Sequence, residues 1–219
     1  MRLIFILVSV LFLATASDLL AYSATTHTLS VPYDIVPISI EEPAQQYFLG
    51  ELEDFPEMYE VVFEATSTLT LAIRAVPQED EQTPLFSGIV IRDKAVRGVE
   101  EVVRLKAGEA SWLAERDPLS GLEYFTGGKF QAEVPPGTYR IEVSTPNNAG
   151  KYILVFGDDN ESASYGVTLA SIAATYEFYD VSKIGMIRSP LLLYPVGIIM
   201  VLVLFAATWY WQRRRTTHD

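Results

Sequence analysis

The sequence predicts an all-β protein: an antiparallel, jelly-roll-like β-sandwich, then a juxtamembrane helix and one C-terminal transmembrane helix. Three observations predict it. Polar and apolar residues alternate with period two over much of residues 27–157, clusters of Gly, Pro and Asn interrupt that alternation at short intervals, and both ends of the chain are apolar. Period-two alternation marks strands buried on one face, and many short strands parted by turn residues favour two packed sheets over a helical fold.

At the N-terminus Arg2 precedes an apolar run over residues 3–14, too short to span a bilayer, which closes on Ala14-Thr15-Ala16. Small residues at the two positions a signal peptidase reads make residues 1–16 an expected export signal, cleaved after Ala16. A cut after Ser23 and retention as an N-terminal anchor are the alternatives.

The sandwich is expected over residues 27–160. Residues 45–52 and 59–64 supply two strands. In 68–76, Leu69, Leu71, Ile73 and Ala75 face one side while Thr68, Thr70 and Arg74 face the other. Residues 84–92 give a strand centred on Ile89-Val90-Ile91. Phe130, Ala132 and Val134 alternate with Gln131 and Glu133 up to a Pro135-Pro136-Gly137 turn, and Tyr139, Ile141 and Val143 then alternate with Arg140, Glu142 and Ser144. Asn147-Asn148-Ala149-Gly150 turns the chain into 151–156, apolar on both faces as in a strand covered on both sides. Residues 78–83 and 107–128 read as polar breaks. The second carries Trp112, Tyr124 and Phe125, expected as lids over the sandwich edge rather than as a ligand platform.

Over residues 162–185 the period changes. Leu169, Ile172, Tyr176 and Tyr179 recur at spacings of three and four, which sets them on one helical stripe that rests on a bilayer, packs on the sandwich or serves as a linker, the first two being favoured. Residues 190–211 then carry no charge. At about 1.5 Å per residue this stretch crosses a hydrocarbon core of about 30 Å. Trp209, Tyr210 and Trp211 suit the headgroup level, and Arg213, Arg214 and Arg215 hold that end in the cytoplasm. Residues 212–219 become a short cytoplasmic tail and the sandwich lies outside, although Lys183 and Arg188 flank the outer end of the span.

Composition narrows the chemistry. Setting aside Arg2, Arg213, Arg214, Arg215 and Asp219, 27 of the 28 acids and 12 of the 16 bases remain, a net of −15. Such a surface repels phosphates, so no nucleic acid partner is expected. The absence of cysteine excludes disulfides, thiolate nucleophiles and zinc ribbons. His27 and His218 fall on opposite sides of the expected membrane and cannot share a triad or a metal; His27 reads as a solvated residue near the mature N-terminus.

Carboxylates are plentiful. Glu51, Glu53, Asp54, Glu100, Glu101, Glu123 and Asp180 are the candidates for an acid pair of glycosidase type, and nothing in their spacing selects two. Asp158-Asp159-Asn160-Glu161 clusters oxygen ligands but lacks the Gly and distal Glu of an EF-hand loop. Asn160-Glu161-Ser162 is a glycosylation acceptor only in a host that glycosylates. No catalytic, cofactor-binding or metal-ligating set emerges.

Residues 112–157 also carry a resemblance. They contain Pro118-Leu119-Ser120-Gly121 near Tyr124-Phe125, then Val134-Pro135-Pro136-Gly137-Thr138-Tyr139-Arg140-Ile141-Glu142-Val143, then Pro146-Asn147-Asn148-Ala149-Gly150-Lys151-Tyr152 and on to Gly157. Upstream, Phe48-Leu49-Gly50-Glu51-Leu52 and Arg97-Gly98-Val99-Glu100-Glu101-Val102 fit the same pattern. On these residues, and through the C-terminal segments, the chain resembles an uncharacterised prokaryotic family of signal-bearing, membrane-anchored proteins. Its paired turns are similar to those of the bacterial pre-peptidase C-terminal domain. The resemblance implies a jelly-roll-like sandwich and brings no catalytic residues.

The expectation is therefore a non-enzymatic envelope protein anchored in the lipid bilayer of the cell membrane. Its acidic sandwich would bind a protein or glycan partner outside the cytoplasm. The alternatives are an accessory subunit whose anchor packs on other helices through Ala206, Ala207 and Thr208, and a hydrolase working with carboxylates alone.

Overall fold

Alternation in the sequence becomes strands whose apolar sides meet. The computed structural model describes residues 22–27, 31–32, 34–40, 45–77, 85–94, 97–106, 112–157 and 163–216. The expected export signal, the 78–83 break, the oxygen-rich 158–161 segment with its glycosylation acceptor, and His218 lie outside the described residues. Those described form β1 (Tyr22–Thr26), β2 (Ile35–Pro37), β3 (Gln45–Glu53), β4 (Glu57–Phe63), β5 (Ser67–Ala75), β6 (Ser87–Asp93), β7 (Val99–Leu105), β8 (Leu113–Arg116), β9 (Glu123–Val134), β10 (Gly137–Ser144) and β11 (Ala149–Phe156). Two helices follow, α1 (Tyr165–Phe178) and α2 (Pro190–Thr216), with a 3-10 turn (Lys183–Arg188) between them.

The strands form two sheets, ordered β1-β3-β11-β5-β9-β8 and β2-β4-β10-β6-β7. From β3 to β6 the chain alternates between them, and it does so again from β9 to β11. If β1, β2 and β8 are left out and the remaining eight strands are counted in sequence, the orders read 1-8-3-6 and 2-7-4-5. All pairs within that set are antiparallel. The sheets as wholes are mixed rather than purely antiparallel, because β1 runs parallel to β3 and β2 parallel to β4. Both parallel strands are edge additions that no hairpin joins to their neighbours, so turn geometry does not dictate their direction.

The inner faces meet in one core. Phe48, Leu69, Leu71, Ile73, Leu154 and Phe156 of the first sheet pack against Tyr59, Val61, Val90, Tyr139, Ile141 and Val143 of the second. The β5 faces fall as the alternation predicts, with Leu69, Leu71, Ile73 and Ala75 all inside. The 107–128 segment differs from its reading as a break: it contains β8 and the first half of β9. Phe125 and Trp112, both partly buried, pack against the inner core.

Tyr139 is buried and donates its hydroxyl to the Pro135 carbonyl at 2.6 Å, tying the Pro-Pro-Gly turn to the strand that follows it. Tyr139→Phe is expected to lower the unfolding free energy by about 1 kcal/mol. Urea titration checks this as an earlier midpoint at unchanged slope.

Of the expected juxtamembrane segment, the described residues 163–185 pack on the sandwich. Ser164 caps α1, and Ile172 and Tyr176 of the predicted stripe are buried against the outer face of the first sheet with Tyr22, Tyr47, Leu49, Ile153 and Val155. This explains why β11 is apolar on both faces: Tyr152, Leu154 and Phe156 point inward, Ile153 and Val155 toward the helix. The hydroxyls of Thr168, Ser171 and Thr175 are buried cheaply because each donates to the carbonyl four residues back, at 3.1, 2.8 and 2.8 Å. Cross-links fix the layer: Ala24 N–H to Ser171 Oγ at 2.8 Å, Tyr176 Oη to the Ser120 carbonyl at 2.9 Å, and Lys151 Nζ to the Phe178 carbonyl at 3.0 Å.

The docking continues into α2. Met186, Ser189 and Leu191 are buried, and Tyr165 donates its hydroxyl to the Leu191 carbonyl at 2.9 Å. On the same 3-10 turn Ile184 and Ile187 stay exposed. Beyond this point Pro190–Trp209 is long and apolar enough to cross a membrane, with a mean hydropathy of 2.5 and almost no burial within the molecule.

Candidate functional site

Arg74 is the informative departure in the outer face of the first sheet. Period two places Thr70, Ala72, Arg74 and Val76 there, and Ala72 and Val76 serve the apolar cluster under α1. Arg74 lies half-buried where that cover ends. Its guanidinium sits over the rings of Tyr124 and Tyr47, at 4.2 and 4.8 Å from their centroids, and Nη1 donates to Tyr47 Oη at 2.5 Å. Tyr47 in turn stacks on Tyr22 at 4.0 Å. Cation–π contacts of this kind contribute about 0.5–2 kcal/mol each. Burial pulls the Arg74 pKa down, but Tyr47, Tyr124 and the Asp117 carboxylate outweigh it, and the net shift is upward. Burial pushes the Tyr22 and Tyr47 hydroxyls far up, so both stay neutral.

A cavity of about 470 Å³ opens beside this cage. A β-bulge makes its floor irregular: Ala72 pairs with Lys129 and Arg74 with Thr126, so β9 carries one extra residue around Gly127-Gly128. A Cβ on Gly127 would meet the Trp112 ring at 3.0 Å, so glycine lets the bulge close over that side chain. One wall is Asp117-Pro118-Leu119, the start of the loop that runs on to Gly121. Asp117 Oδ1 accepts the Leu119 and Ser120 N–H groups at 2.7 and 2.9 Å, and Asp117 itself is buried. On β8, Glu115 accepts the Thr126 hydroxyl at 2.9 Å. Tyr22, Tyr47, Arg74, Glu115, Asp117 and Lys129 all line the space.

A second polar cluster lies inside the sandwich. Glu57 is 1% exposed; its Oε2 accepts the Tyr152 hydroxyl at 2.5 Å and the Tyr59 hydroxyl at 3.1 Å, and the two hydroxyls are 2.8 Å apart. Burial pushes the Glu57 carboxyl above its ordinary value; the two tyrosines oppose that shift, and Glu53 and Glu51 add to it. Gly50 makes the arrangement fit, because a Cβ there would come within 2.6 Å of Tyr152 Cζ and 2.7 Å of Glu57 Oε2.

The seven carboxylates singled out by residue count are all exposed and fall into separate groups. Glu51, Glu53 and Asp54 occupy the end of β3 and its turn, Glu100 and Glu101 the edge strand β7 of the other sheet, and Glu123 the start of β9. Glu101 pairs with Arg104 at 2.7 Å and Asp180 with Lys151 at 2.5 Å. Lys151, whose register partner is Glu51, links that group to Asp180. His27 is not solvated: its ring stacks on Phe48 at 5.6 Å, and burial lowers its pKa. The carboxylates that matter to the fold, Glu57 and Asp117, were missed. Glu57 shares the parity of Tyr59, Val61 and Phe63, a signal that it faces the core.

No known family matches the chain by sequence, and no curated protein matches it. Among solved structures, the pre-peptidase C-terminal domain of a collagenase from Bacillus anthracis aligns over 59% of this chain and 98% of its own, at 13% identity and a TM-score of 0.34. It is the domain type that the paired turns resemble. A surface-associated copper-binding protein important in copper acquisition by Methylomicrobium album BG8 aligns over 70% of this chain and 91% of its own, at 10% identity and a TM-score of 0.21. Likenesses this remote assign nothing to the chain, and the two-sheet architecture stands on its own strand pairing.

Proposed function

We propose that this chain is a membrane-anchored, non-enzymatic binding protein of the cell envelope. Its acidic, jelly-roll-like sandwich is held outside the cytoplasm and presents the cavity beside Arg74. The carrying observation is that cavity: a cation caged by two tyrosines at the floor of a space of about 470 Å³. Small-molecule sites have this make-up, an apolar and aromatic lining with a few polar groups that fix orientation, in roughly 300–1,000 Å³. The 1-8-3-6 and 2-7-4-5 strand orders support the jelly-roll description. The apolar Pro190–Trp209 segment, followed by Arg213, Arg214 and Arg215, supports a span whose C-terminal end stays inside.

The topology is open to a clean test because the chain has no cysteine. Single cysteines placed at Glu53 and at Thr217 are offered to a membrane-impermeant maleimide on spheroplasts. Position 53 is expected to label at once and position 217 only after permeabilisation. The reverse pattern, or labelling of both only after permeabilisation, overturns the outward placement of the sandwich.

A further inference from the structure

We infer that the cavity at Arg74 takes a small monocarboxylate with hydrogen-bond donors beside its carboxylate, a description that acidic sugars share with amino acids and peptide C-termini. The inference rests on the binding role proposed above and names its ligand chemistry.

Arg74 carries five N–H donors, and the structure uses one of them, toward Tyr47. Among the described residues no carboxylate lies within ion-pairing distance of it, and its buried Nε has no hydrogen-bond partner. A half-buried cation without an ion-pairing partner is costly, and Asp117 acts on Arg74 only from beyond ion-pairing distance. The tyrosine rings lower that cost through their faces but offer only one acceptor, so the guanidinium fork is left to pair with something else. A carboxylate fits a guanidinium fork through two parallel N–H···O bonds.

The other lining charges select within the anions. Lys129 adds a second cation, while Glu115 and Asp117 stand on the same cavity. Two carboxylates in the wall disfavour a phosphate dianion or a dicarboxylate, since like charges at close range repel. They suit a ligand of one negative charge whose neighbouring hydroxyl or ammonium groups donate to them. Asp117 uses Oδ1 for its own loop, which leaves Oδ2 for a ligand donor, while Glu115 already accepts from Thr126 and meets the Tyr124 hydroxyl.

The full chain in lipid nanodiscs is screened by saturation-transfer difference NMR against hexuronates and short peptides, each beside the counterpart whose carboxylate is a primary amide. Acids are expected to bind about tenfold or more tightly than their amides, as charge-assisted bonds require. That preference should vanish in Arg74→Gln. Because Arg74→Gln loosens the tyrosine cage, Leu113→Trp, at an exposed lining position, serves as a second variant that narrows the space and should weaken every binder. Hexuronates binding without peptides, or the converse, distinguishes the two sources. Equal binding of acids and amides overturns the carboxylate inference and leaves the cavity a binding site; no binding of either overturns both readings.

Discussion

A Glu57→Gln protein is expected to lack a loss of stability that the parent shows as pH rises above 4.5, the ordinary value for this carboxyl. Burial raises the folded-state pKa of Glu57, so between that value and the raised one the folded protein holds a proton that the unfolded chain has given up. Unfolding then releases a proton, and stability falls with increasing pH across the window. The contribution is fully present below 4.5 and is lost as pH passes through the folded-state pKa. Every tenfold difference in proton affinity between the folded and unfolded chains is worth about 1.4 kcal/mol. Glutamine keeps the volume and an oxygen for the Tyr59 and Tyr152 hydroxyls while removing the titration. Urea midpoints measured at several pH values should therefore give a flatter curve for the variant, crossing above the parent at higher pH. Parallel curves would mean that Glu57 titrates alike in the folded and unfolded chains.

Ile172→Ala is expected to cost about 2–5 kcal/mol, the range for a fully buried isoleucine, and to spend it locally. Ile172 is 0% exposed between α1 and the first sheet. The inner core of the sandwich shares no residue with the cluster under the helix. Two cores allow the outer layer to open while the inner one holds. Hydrogen exchange should accelerate across α1 and β1, whose amide at Ala24 bonds Ser171, with the β10 amides little changed. Equal acceleration in β10 would show that the two layers unfold as one.

The parts of the fold that one strand can specify were legible. The seven strands read from alternation appear within a few residues of their expected ends, except that β9 begins seven residues before Phe130. Its first half contains the Gly127-Gly128 bulge, which breaks the alternation that would have revealed it. Strands β1, β2, β7 and β8 were missed for related reasons. They lie at sheet edges, where one side of the backbone is unpaired and apolar alternation is weakly demanded. In β7, for example, Val99 is exposed in spite of its side chain.

The candidate site was less legible because its parts meet only through pairing between distant strands. Arg74 could be placed on the face opposite Leu71 and Ile73 from alternation alone. Its partners Tyr47 and Tyr124 lie 27 and 50 positions away, Tyr47 reaching it across β11 and Tyr124 from the neighbouring β9. Nothing in local spacing announces that. The covering role of α1 was likewise one of two favoured options until the sheet beneath it was known, since the same stripe of Ile172 and Tyr176 would suit a lipid surface.

The buried start of α2 bears on how the molecule stands. Leu191, Ser189 and the Tyr165 bond leave no slack joint between the sandwich and the apolar helix. On the proposed topology, such a head does not search the surrounding volume on a leash. Under that topology it would keep one bearing and one height, with the exposed Ile184 and Ile187 beside the emerging helix. A ligand then meets the opening at a constant distance from the bilayer, and lengthening the segment before Pro190 would change what the protein can reach without touching its binding chemistry.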